Sequence, residues 1–269
     1  MPTSNTREAE FNQLVSISIL LRALHRIHAD WPLLLRRTAP FYPLFVVVTL
    51  TPALGGESLL LALFLFIFSC AVTTLLAVMV HRSVLLEDQD QSRFLLWRSE
   101  HSSFLFLYPV IFIAALASIF FGIIAFGIFA ISIGITITNI LDMFPLFAGV
   151  DLQPFILPIQ IAFVVTSLLY VIVKSSLMFP ATATGDEFAR SWSDSWKRSD
   201  GYMVPLLIAF VLPGMFFIAL RLAIFGGALS WPLANPLISG GISWIETIVT
   251  VVVVSSAYKL IKERALVED

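Results

Sequence analysis

Long apolar segments alternate along the chain with two internal loops that mix charged and aromatic residues. The longest apolar segment, residues 104–141, holds no Asp, Glu, Lys, Arg or His. A bilayer core of about 30 Å needs only about 20 helical residues, so this segment is nearly twice as long as one crossing requires. It therefore forms either one overlong helix or two short ones.

The charged loops decide between these alternatives. The loops at 83–103 and 180–200 both carry Arg, and one clear span, 155–179, separates the long segment from the second loop. Because basic residues in short loops favour the cytoplasm, we expect both loops there, which requires the long segment to cross once. Its excess length would be kinked, tilted or covered by protein on the outer side, and the pattern leaves open whether part of it is re-entrant.

The whole pattern predicts an all-α fold, a polytopic transmembrane helical bundle with six spans and both termini in the cytoplasm. All sixteen Lys and Arg residues except Arg221 lie in or beside segments that this topology places in the cytoplasm. The predicted spans are 40–54, 58–80, 104–141, 155–179, 202–225 and 238–258. An N-terminal cytoplasmic or interfacial segment, 1–38, precedes the six-helix transmembrane domain, 39–261, and a cytoplasmic tail, 262–269, follows it.

The segment 11–37 shows the spacing of an amphipathic helix. Its apolar residues recur at helical intervals, while Arg22 and Arg26 fall largely elsewhere round the helix. We expect this helix to lie in the cytoplasmic interface of the membrane rather than to cross it. The apolar residues that carry the prediction are Ile17, Leu20, Leu21, Leu24 and Ile27.

The second charged loop is expected to contain a helix. Thr184 and Glu187 have the spacing of a capping box, which predicts a helix that begins at about Gly185. Phe188, Trp192 and Trp196 would then form one aromatic edge.

Charged residues would occupy another edge of the same helix, with Asp194 and Arg198 as an ion pair. The helix would lie either with its tryptophans at headgroup depth or as a docking surface for a partner or a lipid headgroup. The candidate surface consists of Phe188, Arg190, Trp192, Trp196, Lys197 and Arg198.

Composition supports a membrane location. With 58% hydrophobic and only 13% charged residues, the chain lies outside the range of soluble domains, in which about a quarter of residues are charged. We expect a multi-pass membrane protein that contacts the lipid bilayer, a lipid headgroup or a membrane-protein partner, but no nucleic acid. Polar residues reach to Glu10 and no small-residue cleavage site follows, so no cleaved signal peptide is expected.

Three charges lie inside predicted spans. Lys174 is near a cytoplasmic end, where its long side chain is expected to snorkel to the interface. Arg221 and Glu246 are deeper, on spans joined by a short loop, and we expect them to pair because an unpaired charge there is costly. The pair is either a clamp between two helices or part of a substrate or proton site.

No catalytic signature is present in the sequence. GxSxG, HExxH, Walker A and GxGxxG patterns are absent, so we expect no enzyme activity and no cofactor. The four histidines match no metal-ligand spacing and are expected to be solvated at the interface, and the single cysteine, Cys70, is expected to pack as an apolar residue. The histidines are His25, His28, His81 and His101.

The chain resembles a group of bacterial inner-membrane proteins similar to the six-helix membrane domain attached to some glycerophosphodiester phosphodiesterases. The resemblance rests on the amphipathic N-terminal segment, on HRSVLLED at 81–88 and on the loop that begins KSSLMFPATATGDEF at 174. It implies an all-helical, multi-pass protein of the bacterial inner membrane and carries over no catalytic residue, since the barrel of those enzymes is missing. The expected function is a membrane scaffold or a lipid- or protein-interacting module; the alternative is a small transporter or channel component that uses Arg221 and Glu246.

Overall fold

The computed structural model describes residues 4–54, 59–86, 102–107, 110, 117, 120, 124, 153–225 and 235–268. In this part of the chain all regular structure is helical. Residues 102–107 are also helical. The elements are α1 (Ser4–Thr38), a 3-10 turn (Ala39–Phe41), α2 (Tyr42–Leu54), α3 (Leu59–Leu85), α4 (Gln153–Ser175), α5 (Met178–Thr184), α6 (Trp192–Arg198), α7 (Met203–Phe225) and α8 (Pro236–Glu268).

Five stretches of the described residues are long and apolar enough to cross a membrane, which makes the chain a membrane protein. They are Phe11–Leu50, Ile67–Leu85, Ile161–Thr184, Met203–Ile224 and Pro236–Val267. Each overlaps one predicted span. The remaining predicted span, 104–141, lies outside the described residues except for its first turn and a few single positions.

The chain divides into two compact units, of which the first comprises 1–108 and 173–269. Its central element is α8, which packs against α1, α2, α3 and α7. Ile248 and Val252 of α8, together with Leu76 of α3, are completely buried. An apolar side chain buried in this way stabilises the fold by about 1.5–3 kcal/mol in water, but less in a bilayer, where the hydrocarbon also solvates it.

The second unit comprises residues 109–172. Its best described part is the helical segment 153–172, within α4. Ile161, Phe163 and Val165 of this segment are exposed. Exposed apolar side chains on a helix of this length are typical of a surface that faces lipid.

Helix α1 differs from its predicted amphipathic pattern. Val15, Ile19 and Ala23, at steps of four, are buried against the rest of the first unit. Most of the residues predicted to form the apolar face lie instead on the outer side, where Leu21 and Leu24 are 60% and 61% exposed. Helix α1 therefore has one apolar face towards protein and another away from it, and its position in the membrane interface stays a prediction.

The predicted helix start at Gly185 is wrong. Gly185 follows the end of α5 with φ of +72°, a left-handed conformation that favours glycine and ends a helix. The Thr184 hydroxyl donates back to the Pro180 carbonyl at 2.8 Å and therefore does not cap a new helix. Helix α6 begins after Ser191, whose side-chain oxygen accepts a hydrogen bond from the Asp194 amide at 3.0 Å.

Candidate functional site

Charged side chains connect the helices of the first unit through ion pairs and hydrogen bonds. Arg22 of α1 pairs with Glu263 of α8 at 2.6 Å. Arg37 of α1 donates to the Ser83 hydroxyl of α3 at 2.9 Å. Arg82 of α3 donates to the carbonyl of Ala183 in α5 at 3.3 Å. Helix α1, the last turns of α8 and the beginnings of both charged loops are thus connected by polar contacts.

The second loop is fastened to α8 through Asp186. Its carboxylate pairs with Lys262 and accepts a hydrogen bond from the Phe188 amide at 3.1 Å. Burial alone would raise the pKa of Asp186, but the hydrogen bonds from Lys262 and the Phe188 amide outweigh it and lower that pKa below its ordinary value. The carboxylate is therefore held in its charged form, which keeps the loop on α8 at neutral pH.

The predicted aromatic edge of the second loop is split. Trp192 and Trp196 stack with ring centroids 5.6 Å apart. Phe188 precedes α6 and turns inward, where it meets the Tyr258 ring edge-on at 5.7 Å. The Arg198 guanidinium lies 4.7 Å from the centroid of the Phe188 ring.

The charged residues of the candidate surface are also arranged differently from the prediction. Arg198 contacts Phe188, whereas Asp194 bonds to Ser191 at the start of α6, so the predicted Asp194–Arg198 pair is not formed. Arg190 lies before α6 and pairs with Glu187 at 2.6 Å. Lys197 is exposed on α6. The six candidate residues therefore do not form one continuous face.

Lys174 reaches the second loop and is covered by it. Its side chain is only 6% exposed and forms an ion pair with Asp200, at the far end of the second loop. Its ammonium also lies 3.4 Å from the Trp196 carbonyl, and the Ser195 hydroxyl donates to the Lys174 carbonyl at 2.7 Å. The lysine thus anchors the loop over the end of α4, a role that hydropathy could not predict because the partner is 26 residues away.

Arg221 and Glu246 form an ion pair between α7 and α8. Arg221 also donates to the Ser243 hydroxyl at 3.2 Å. The two charged side chains are 31% and 27% exposed, and each satisfies the other's charge. This geometry joins two helices and leaves the substrate interpretation as a hypothesis.

His81 was expected to be solvated, and this prediction is wrong. The residue is buried, and its Nδ1 lies 2.7 Å from the Ser255 hydroxyl of α8. Ser255 donates its own proton to the Val251 carbonyl at 2.8 Å, so it accepts from a protonated Nδ1. Because the hydroxyl is fully buried and its proton is already engaged, the arrangement joins α3 to α8 and does not resemble an activated nucleophile.

A groove between α1 and α8 holds two cavities that share Arg22 and Glu263. One cavity, of about 320 Å³, gathers basic and hydroxyl groups: it is lined by Arg22, His25, Arg26, Val84, Ser255, Ser256, Lys259 and Glu263. The other, of about 510 Å³, is mixed polar and apolar: it is lined by Ser18, Arg22, Leu260, Glu263, Arg264 and Val267. We call these two cavities together the α1–α8 groove.

Sequence reasoning missed the α1–α8 groove because its two walls are some 240 residues apart in the chain: Arg22 and Glu263 are separated by 241 positions. The local signal was the placement of basic residues one turn apart on α1 and again near the end of α8. The sequence places the first run in the interfacial segment 1–38 and the second at the junction of the last span with the cytoplasmic tail, and nothing in their spacing joins them.

Comparison of this chain with family models, with curated proteins and with solved structures found no match.

Proposed function

We propose that the chain is an integral protein of the bacterial inner membrane that acts without catalysis, as a membrane module that binds anionic lipid through α1 and the end of α8. The likeness to the membrane domain of glycerophosphodiester phosphodiesterases is part of this proposal. It accounts for the all-helical architecture and brings no enzymatic activity with it.

The observation that carries the proposal is the outer surface of α1. Leu14, Ile17, Leu21 and Leu24 recur at steps of three and four and are all exposed. Ser18, Arg22 and His25 lie beside them along the same helix and line the α1–α8 groove. An apolar stripe with a basic edge is the pattern of a helix that lies in a membrane interface rich in anionic headgroups.

The inner face of α1 supports the same proposal. Val15, Ile19 and Ala23 pack into the first unit, and the Arg264 guanidinium lies 5.4 Å from the ring centroid of Phe11. The helix is therefore held firmly on the bundle while its outer stripe remains uncovered in the isolated chain. Such an arrangement positions the basic edge at a fixed depth relative to the other helices.

The alternative function is a small transporter or channel component that uses Arg221 and Glu246. One observation favours this interpretation: both charges of the ion pair lie within helices long enough to cross a membrane, where charged residues often serve transport. Neither cavity of the α1–α8 groove is lined by them. Arg221 and Glu246 neutralise each other's charge, and Arg221 also donates to the Ser243 hydroxyl, as expected of a contact that only joins two helices.

Native mass spectrometry of the protein, gently extracted from its own membranes, tests the proposal. We expect adducts of anionic phospholipid in excess over zwitterionic phospholipid, relative to the composition of the membrane. Double substitution of Leu21→Ser and Leu24→Ser should reduce these adducts, because the exposed stripe can no longer insert beside the headgroups. Leu212→Ser and Met215→Ser, two exposed apolar positions on α7, provide the matched control.

A protein without any anionic lipid preference would contradict the proposal. Adducts that persist in the α1 variant but disappear in Glu246→Gln would instead support the alternative. Flux measurements in liposomes would then be the next step.

A further inference from the structure

The α1–α8 groove has the charge of a phosphate site. Four basic side chains line its smaller cavity, Arg22, His25, Arg26 and Lys259, together with the carboxylate of Glu263. A second carboxylate, that of Asp30, lies 3.4 Å from Arg26 but does not line the cavity, so the lining keeps an excess of basic groups. Ser256 contributes a hydroxyl to the same wall, although it donates its proton to Val252 at 2.8 Å and can only accept. Guanidinium and ammonium groups that converge on one cavity are the side chains that recognise phosphate oxygens.

The larger cavity adds an apolar side. It is lined by Arg22 and Arg264 but also by Leu260 and Val267, of which Val267 is 86% exposed. Its volume of about 510 Å³ lies within the range of about 300–1,000 Å³ that is usual for small-molecule sites. A ligand that fills both cavities must therefore be charged at one end and apolar nearby.

The surroundings indicate where such a ligand comes from. Leu14 and Leu21, both exposed, lie one helical turn from Ser18 and His25 on the rim of the groove. Helix α8 has 33 residues and is about 50 Å long, which exceeds a bilayer core of about 30 Å, so its last turns can reach the headgroup layer. Acyl chains and a phosphodiester are available together at that depth.

We propose that the α1–α8 groove is a binding site for the phosphodiester of one anionic phospholipid, with Arg22, Arg26 and Lys259 around the phosphate and the acyl chains along the stripe of α1. This inference rests on the proposed function and names the site and ligand class for it. The Arg22–Glu263 ion pair stands at the junction of the two cavities. Glu263 offsets part of the positive charge there and weakens the attraction for phosphate.

Two substitutions at this ion pair separate binding from folding. Arg22→Gln and Glu263→Gln break the same contact, so any general effect of losing the bridge is common to both. Arg22→Gln should weaken binding of dioleoyl phosphatidylglycerol by about five- to tenfold, because one cation near the headgroup is lost, whereas Glu263→Gln should strengthen it by a similar factor. The readout is a native mass spectrometry titration of the full chain in detergent.

Three further samples complete the experiment. Lys197→Gln, an exposed cation on α6, should leave the titration unchanged. Dioleoyl phosphatidylcholine has the same acyl chains without net charge, and it should bind the wild type more weakly. Inorganic phosphate at millimolar concentration should not displace phosphatidylglycerol, because it lacks the apolar contacts.

The outcomes distinguish this inference from the proposed function. If the wild type prefers phosphatidylglycerol but Arg22→Gln and Glu263→Gln change its affinity in the same direction, the groove is not the site, although the proposed function stands. If the wild type binds both lipids equally, both are overturned. Displacement by inorganic phosphate would overturn the lipid assignment in favour of a soluble phosphate ligand.

Discussion

Asp186 shows how one charge couples the second loop to the C-terminal helix. Its carboxylate pairs with Lys262, and its pKa is lowered relative to the unfolded chain. A group whose pKa is lowered on folding stabilises the fold above its unfolded pKa, and this contribution is lost as the pH falls through the folded value. The contribution is therefore complete at neutral pH, begins to be lost below about pH 4 and is gone once the pH is below the lowered pKa of the folded state.

We expect Asp186→Asn to be less stable than the wild type at pH 7 and to differ from it progressively less in acid. Loss of one partly buried charged hydrogen bond costs about 1–2 kcal/mol, or a fall of roughly 2–6 °C in Tm for a chain of this size. Thermal unfolding in detergent between pH 3 and 8 measures the difference. Glu187→Gln removes a neighbouring carboxylate whose pair with Arg190 is largely exposed, and it should change Tm little. A constant difference at every pH would contradict the linkage.

At the residue scale, the sequence revealed partners that lie close together in the predicted topology. Arg221 and Glu246 are 25 positions apart on consecutive helices, so membrane burial alone indicated that they should meet. Asp186 and Lys262 are 76 positions apart and lie outside the predicted spans, where a charged residue has many possible partners. His81 was misplaced because a histidine at the end of a span has the same sequence signature whether it faces water or Ser255.

At the scale of elements, α2 and α8 approach each other closely at Gly240. A Cβ at Gly240 would lie 2.9 Å from both Cα and N of Val46 in α2. At the neighbouring Gly241, a Cβ would meet only the ring of Tyr42, at an ordinary 3.5 Å. Small residues let membrane helices pack closely where no hydrophobic force drives them together.

Gly240→Ala should therefore destabilise the bundle, because the backbone of α2 must shift. The cost expected for overpacking is about 1–3 kcal/mol, or a fall of roughly 2–10 °C in Tm. Gly241→Ala provides the matched control and should leave Tm unchanged or slightly raised, since alanine favours helix. Thermal unfolding of both variants in the same detergent compares them, and equal Tm values would mean that this contact can relax freely.

The long helices were predicted more accurately than the short ones. The long helices followed from uninterrupted apolar sequence, which leaves a membrane chain few other structures that satisfy its backbone. The short helices of the second loop depended on caps, and here Thr184 and Ser191 offered competing signals of the same kind. The spacing from Thr184 to Glu187 fits a capping box, but Gly185 between them adopts a left-handed conformation that ends α5 instead.

At the scale of the whole molecule, hydropathy predicted membrane helices but not which helix face would meet protein. On α1 the side chains of Val15, Ile19 and Ala23 are buried, whereas the leucine-rich stripe that includes Leu21 and Leu24 is exposed. In water an apolar face must be buried against protein, but in a membrane lipid serves equally well. Hydrophobicity therefore cannot distinguish the two faces of α1. Because it does not show which face meets α8, the α1–α8 groove could not be predicted either.

The number of crossings made by residues 104–141 is a prediction for the whole molecule, and the position of Phe104 supports a single one. Its ring centroid lies 5.2 Å from that of Phe179 and 5.9 Å from that of His81. The start of the long segment thus lies beside the end of a span that follows it in the chain. This proximity is what the predicted topology requires, in which 104–141 crosses the membrane once and 155–179 crosses back.

Cysteine labelling tests this topology. In a Cys70→Ser background, we expect Ser103→Cys and Ser193→Cys to react with an impermeant maleimide only after spheroplasts are permeabilised, because both loops are cytoplasmic. Asn235→Cys should react in intact spheroplasts and so controls for access from outside. If Ser103→Cys and Ser193→Cys behave oppositely, the long segment crosses twice, and one of the two arginine-bearing loops must then lie outside, against the distribution of positive charge.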